Sequence, residues 1–441
     1  MNLKSSKYNL IFDYKGKKLA FNSRSASLAE VDENFINMIN NIDKIEEKDL
    51  NEADVKLIED MKRGCYIIDK DEDEIQQLKL NNLIGRFGNK GTFGLTIAPT
   101  LQCNFACPYC YEERKSGVMS KEVQDAIIKR VEKEAEAKNN ISITWYGGEP
   151  LLACDIIERM SKKMIEIAKK AGVKYSASII TNGYLINDKV AKMLKNAKVS
   201  HAQITLDGPP DVHDSRRKLR GGGATFDRII ENIKIMLKEE IAIGIRINID
   251  KTNVDRLEEL LKILADNGLQ KCGISLGHVR SDTQACANVA GSCLTIEEYA
   301  KKYSKYQEVV LKYKFLEGVV YDYPDSRTNY CCADALSANV VGPDGALYKC
   351  WCDIGNQSRK VGDITKEKQK FNKIYTDYLM WSPFENEKCK NCSVLPLCMG
   401  GCPYHGLMGS EPECEKWIYN LKDALKFRFD HPVCQGRKCG C

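Results

Sequence analysis

Cys103, Cys107 and Cys110 form a Cys-x3-Cys-x2-Cys group with Tyr109 directly before the third thiol. Three thiolates hold three irons of a cubane and leave the fourth iron without a protein ligand, whereas electron-transfer clusters normally take four cysteines. An iron left open in this way invites a ligand. Zinc would ask for a fourth Cys or His at short spacing, and none lies nearby. The remaining thiols are unevenly spread: of 20 cysteines, 12 fall between residues 331 and 441, against only 5 histidines in the whole chain. A reducing cytosol keeps such thiols unpaired unless a metal uses them, so iron–sulfur or zinc sites lead the reading. Cys65, Cys154 and Cys272 stand alone and are expected to be ordinary buried thiols.

The elements that must position these groups follow from composition and periodicity. With 441 residues, 43% hydrophobic and 29% charged, the chain can build one large domain or two to three ordinary ones. The balance of 66 basic to 61 acidic residues leaves +5, too little to imply a nucleic-acid or anionic-membrane partner. No apolar run reaches the roughly 18 residues of a spanning helix, and the N-terminal residues carry no secretion signal. A cytoplasmic, soluble protein without membrane or nucleic-acid partners is expected.

Two β-type runs within residues 7–30 meet at Tyr14-Lys15-Gly16-Lys17, and amphipathic helices follow, so residues 1–85 are read as a hairpin-plus-helices module. Gly85 to Gly91 reads as a linker. From residue 93, six apolar strands alternate with amphipathic helices, which predicts an α/β fold with a parallel sheet, doubly wound or curved as a partial barrel. The strands run into Cys103, Gly147-Gly148-Glu149-Pro150, Asn182-Gly183 and Asp207-Gly208, and the fifth closes with Arg246, Asn248 and Asp250. Chemistry in such sheets sits at these carboxyl ends. A helical bridge over residues 291–330 then leads to the cysteine-rich tail.

The cysteine spacing with its aromatic residue resembles that of the radical S-adenosylmethionine (SAM) enzymes. The resemblance implies a six-stranded partial (β/α)6 barrel over residues 93–290, and a [4Fe-4S] cluster on Cys103, Cys107 and Cys110 whose open iron chelates SAM. Reduction of that pair yields a 5′-deoxyadenosyl radical, so the cofactor performs the hydrogen abstraction. Gly147, Gly148, Glu149 and Pro150 match the family's Gly-Gly-Glu-Pro element, whose backbone and carboxylate receive the SAM ammonium. The glycines suit close approach of a ligand to the backbone. Asn182 and Arg217 match positions near the ribose and carboxylate of SAM, Tyr109 is expected to pack by the adenine, and Asn248 is read as a further cofactor-binding residue.

The tail resembles the SPASM extension of peptide-modifying radical SAM enzymes, which binds two auxiliary [4Fe-4S] clusters. Following that resemblance over residues 331–441, Cys332, Cys350 and Cys402 hold one cluster, and Cys389, Cys392, Cys398 and Cys414 the other, making three clusters in all. The fourth ligand of the first is Cys331, Cys352 or the substrate. Cys286, Cys293, Cys434, Cys439 and Cys441 fall outside the pattern.

The front module resembles the winged-helix-like element that captures a leader peptide as an added strand. These likenesses imply a ribosomal-peptide maturase that installs a Cys thioether in a cysteine-containing precursor, with flavodoxin or ferredoxin as electron donor. The alternatives are a C–C crosslinking maturase, an anaerobic sulfatase-maturing (formylglycine-forming) enzyme, and a non-enzymatic iron–sulfur carrier. In the sulfatase-maturing family an acidic residue directly follows the cysteine equivalent to Cys350 and acts as base; here Trp351 stands there and Asp353 lies two residues further on.

Overall fold

The computed structural model describes residues 1–88, 91–112, 115–315, 317–318, 322–367, 372–409 and 411–432. The chain divides into two compact units, one of residues 1–86, 323–331 and 381–441, the other of residues 87–322 and 332–380. The cysteine-rich tail is therefore shared between the units.

In the first unit β1 (Leu3–Ser5) pairs antiparallel with β5 (Ile67–Asp69), and β2 (Asn9–Tyr14), β3 (Lys17–Asn22) and β4 (Ser27–Val31) form an antiparallel sheet in that order. The β2–β3 register pairs Tyr14 with Lys17 across the expected turn. Helix α1 (Glu33–Asn41) starts where the Asp32 side chain accepts from the Phe35 N–H, and buries Phe35, Met38 and Ile39, three and four residues apart. Helix α2 (Glu52–Arg63) begins with a reciprocal Asn51–Asp54 capping box and buries Ile58 and Met61. These side chains close a core with Leu3, Ala20, Tyr66 and Ile67.

Helix α3 (Glu74–Phe87) runs through the stretch read as a linker: Gly85 is helical and lies against Thr328. Its buried stripe is Glu74, Leu78, Asn82 and Arg86, so no apolar period announces it. Asn82 donates to the Thr328 carbonyl at 2.6 Å and Arg86 to the Trp381 carbonyl at 2.9 Å. The front module also shares cores with the tail. Phe12, Leu19 and Phe21 pack with Val394, Leu397, Trp417 and Leu425, while Tyr8 and Leu78 pack with Phe384, Cys389 and Leu395.

In the second unit β6 (Thr92–Ile97), β7 (Asn140–Trp145), β8 (Lys174–Thr181), β9 (Val199–Thr205), β10 (Ala242–Ile249) and β11 (Gly273–His278) lie side by side in sequence order, all parallel. Helices α4 (Lys121–Ala135), α5 (Cys154–Ala171), α6 (Asp188–Asn196), α7 (Pro210–Arg216), α8 (Phe226–Lys238) and α9 (Leu257–Asp266) make the crossovers, and α10 (Ile296–Lys312) follows the last strand. Ile97, Ile141, Ile143, Trp145, Ile179 and Ile204 are fully buried in this sheet. The six strands do not close on themselves. Beyond β6 the sheet continues into β12 (Ala338–Val341), parallel to it, and then antiparallel β13 (Ala346–Tyr348) and β14 (Gly362–Asp363). The Gly342–Gly345 turn joins β12 to β13, so Cys350 lies two residues beyond a strand of this sheet. No helix among the described residues is long and apolar enough to cross a membrane.

Candidate cluster and cofactor site

The loop leaving β6 carries the three-cysteine group and is pinned along its length. Glu149 N–H donates to the Gln102 carbonyl at 2.8 Å, Gly148 N–H to Thr100 at 3.2 Å, and Ala106 N–H to Lys218 at 3.0 Å. The Cys103 sulfur accepts from Phe105 N–H at 3.4 Å. Burial, with the neighbouring thiols adding to it, pushes the Cys103 thiol up to about 11 and that of Cys110 up to about 12. The three thiols feel one another electrostatically and are not in disulfides. Binding to iron would release their protons. Among the described residues no set of three or more His, Cys, Asp or Glu closes on a single-ion position; a cubane instead ties each thiolate to a different iron.

The Gly-Gly-Glu-Pro turn packs tightly against the cysteine loop. A Cβ on Gly147, where φ is +108°, would lie 2.4 Å from the Thr100 carbonyl oxygen, and one on Gly148 2.3 Å from that of Gln102. What approaches these glycines is the backbone of the cysteine loop. The Glu149 carboxylate is fully buried and already accepts three donors: Leu151 N–H at 3.0 Å, Thr181 hydroxyl at 2.7 Å and Asn182 N–H at 2.8 Å. It welds the end of β7 to the end of β8. Pro150 opens the short helical turn that Glu149 caps. The Asn182 side chain donates to Asn104 at 2.7 Å and lies 3.9 Å from the Cys103 sulfur.

Tyr109 reaches the far strands. Its hydroxyl donates to Asp207 and accepts from Arg217 at 2.7 Å, with the Asn248 amide at 3.5 Å. The Arg216 guanidinium stands 5.1 Å from the Tyr109 ring centroid and bonds Asp250 at 2.8 Å. Asp207, 1% exposed, also accepts from Asn248 N–H at 3.0 Å. Arg217 is buried, and although desolvation opposes its charge, Cys107, Tyr109 and Asp207 favour it. Its Nε and the Asn104 Nδ2 are buried donors without hydrogen-bond partners. Such donors beside a thiol cluster fit the carboxylate and ribose of a bound SAM. Spacing and motif alone do not single out Asp207, Arg216, Asn104 and Thr181 as site residues. Asp207 was visible at a strand end, and Arg216 adjoins Arg217; their partners across the sheet were not.

In the tail burial, with neighbouring thiols adding to it, pushes the Cys389 thiol up to about 11 and that of Cys398 up to about 12, and raises that of Cys392. Gly401 permits this convergence: a Cβ there would lie 1.9 Å from the Glu413 carbonyl oxygen. Cys350 and Cys352 share a hydrogen bond between their thiols. Cys332 and Cys350 belong to the barrel unit, Cys331 and Cys402 to the other. Trp351 packs on Tyr146 at 5.1 Å between ring centroids, and the Tyr146 hydroxyl bonds that of Tyr111. Asp353, 1% exposed, is held by Arg359 and by Tyr378, each at 2.8 Å. Cys272 is buried, while Cys65 and Cys154 are only partly so. Cys286 and Cys293 bond the carbonyls of Thr283 and Val289 in their own turns. Cys434, Cys439 and Cys441 lie outside the described residues.

A cysteine loop at the carboxyl ends of parallel strands, facing buried cationic donors, makes this chain a radical SAM enzyme with a cysteine-rich, SPASM-like C-terminal region. Residues 97–264 match the family model described as the Radical SAM superfamily. It is 25% identical over 328 residues to the "Cysteine-type anaerobic sulfatase-maturating enzyme" of Clostridium novyi (strain NT), an alignment spanning 68% of this chain and 84% of the relative. A solved structure of native anSMEcpe with bound AdoMet and Cp18Cys peptide superposes with a TM-score of 0.62 at 22% identity, covering 77% of this chain and 97% of that one. Streptococcus suis SuiB bound to precursor peptide SuiA gives 0.52 at 17% identity, covering 94% of this chain and 98% of that one.

Proposed function

We propose that this radical SAM enzyme oxidises a cysteine or serine side chain of a peptide or protein to the aldehyde, the reaction set aside as the weaker alternative on sequence grounds. The observation that carries it is the similarity to a sulfatase-maturating enzyme through 84% of that protein's length. When bound, SAM and the cluster on Cys103, Cys107 and Cys110 supply the radical that takes a hydrogen atom from the substrate. Arg217 and Asn104 would orient SAM through their partnerless donors, with Asn182 and Asn248 alongside. Cys389, Cys392, Cys398 and Cys414 would hold one auxiliary cluster, and Cys332 and Cys350 would contribute to another. A flavodoxin or ferredoxin would deliver the reducing electron.

A second reading, peptide crosslinking through a Cys thioether or a C–C bond, is favoured by one local observation. Trp351 occupies the position where the sulfatase-maturing pattern has its base, and Asp353 is tied up by Arg359 and Tyr378. On this reading residues 1–86 would dock a leader peptide along β4, which pairs only with β3 in its sheet.

The two products differ in mass. Anaerobic incubation of the reconstituted enzyme with SAM, a reductant and a cysteine-containing sulfatase peptide should replace the thiol sulfur by a carbonyl oxygen. Loss of two hydrogens with sulfur retained, and no aldehyde or thioaldehyde trapped by a hydrazine, would instead establish the crosslink.

A further inference from the structure

Lys349 is 1% exposed. Lysine is almost never buried to this degree unless paired, because removing an ammonium from water costs several kcal/mol or more. It directly follows β13 and directly precedes Cys350. Its ammonium donates to the carbonyls of Ala335 at 2.5 Å and Ala338 at 2.6 Å, and stands 5.7 Å from the ring centroid of Tyr375. Ala335 closes the turn that begins at Cys332, its N–H donating to the Cys332 carbonyl at 3.2 Å. One cation is thus anchored to the Cys332 turn through its head and to Cys350 through its backbone.

The two carbonyls alone do not require a charge, since a neutral donor satisfies a carbonyl equally well. A fixed positive charge beside cluster ligands has a definite effect: it favours the state with one more electron, and the low dielectric of a buried site amplifies it. We propose that Lys349, acting through Cys332 and Cys350, raises the reduction potential of the auxiliary cluster to which those two residues contribute. The inference rests on the reading of Cys332 and Cys350 as cluster ligands. It gives that cluster a role in either proposed reaction. After the hydrogen atom has left, the substrate carbon radical gives up one further electron and the thiol its proton as the new double bond or C–S bond forms. An iron–sulfur cluster poised higher accepts that electron more readily, going from its oxidised to its one-electron-reduced state. Asp334 is buried on the same turn, so the field at the thiols is the sum of both charges, and removing the lysine measures its share.

The test is a potentiometric titration of the anaerobically reconstituted full chain, followed by electron paramagnetic resonance, for wild type, Lys349→Met and Lys349→Arg. Iron and sulfide are counted first. The methionine variant should keep its iron and shift one auxiliary signal to a more negative midpoint; the arginine variant should stay near wild type, and the other signals should not move. An unmoved midpoint in the methionine variant, or an equal shift in both variants, overturns the proposal. Should the methionine variant lose iron, Lys349→Gln keeps a donor for the carbonyls without the charge; iron loss there too makes Lys349 merely structural and also overturns it. Full iron in Cys332→Ala and Cys350→Ala would instead remove the ligand reading on which the inference stands.

Discussion

The backbone N–H of Asn182 donates to the Glu149 carboxylate at 2.8 Å, joining the turn after β7 to the end of β8 in a fully buried position. Because Leu151 and Thr181 fill the other oxygen, this glutamate is a structural weld. Glu149→Gln turns one acceptor into a donor facing donors, which should cost about 1–3 kcal/mol. Thermal unfolding of the iron-free protein checks this. An unchanged midpoint would show that the carboxylate is free for a ligand instead.

Gly148→Ala places a methyl 2.3 Å from the Gln102 carbonyl oxygen, a backbone atom that cannot rotate aside. The loop bearing Cys103 must shift, at a cost of about 1–3 kcal/mol. Iron counting should show loss confined to one cluster, about four irons by cubane stoichiometry. Retention of full iron would place the reason for the glycine elsewhere.

Tyr109→Phe keeps the ring but removes the hydroxyl shared by Arg217 and Asp207. A hydrogen bond to a charged group contributes about 1.5–3 kcal/mol, so SAM affinity should fall about tenfold or more while iron content stays the same. Equilibrium dialysis against labelled SAM measures it. Equal affinity would mean that Arg217 is held by its other neighbours alone.

His213 is fully buried, its Nδ1 accepting from Asp207 N–H at 3.3 Å, and burial together with Arg217 and Arg216 holds its pKa well below the usual imidazole value. The unfolded chain binds a proton near pH 6.5 that the folded chain refuses, so stability is lost as pH falls through that value. The contribution is about 1.4 kcal/mol per pH unit below about pH 6.5. Denaturant titrations between about pH 5 and 7 should show this slope in wild type and a shallower one in His213→Gln. Parallel slopes would refute it.

Much of the fold was legible because its signals are local. All six parallel strands β6 to β11 and the crossover helices α4, α5, α8 and α9 announce themselves through apolar periods of two and of three to four. Helix α6 buries only Ala191 and Leu194, too few to mark a face. Helix α3 hides behind a stripe of Glu74, Asn82 and Arg86, whose partners Thr328 and Trp381 are more than two hundred residues away. The union of residues 1–86 with 381–441 has no local signature either, since Leu19 and Trp417 are each unremarkable apolar residues until they meet. At the site, thiol spacing was readable, whereas the three donors that converge on Glu149 come from two strand ends and carry no local signal.

The central claim is that Cys103, Cys107 and Cys110 support reductive SAM cleavage. The direct measurement is 5′-deoxyadenosine released from SAM under anaerobic reduction by the reconstituted wild type and by a variant with all three cysteines changed to Ala. The wild type should produce it and bind about twelve irons, and the variant should produce none while keeping about eight, by the same stoichiometry. Undiminished 5′-deoxyadenosine formation by the variant would contradict the assignment.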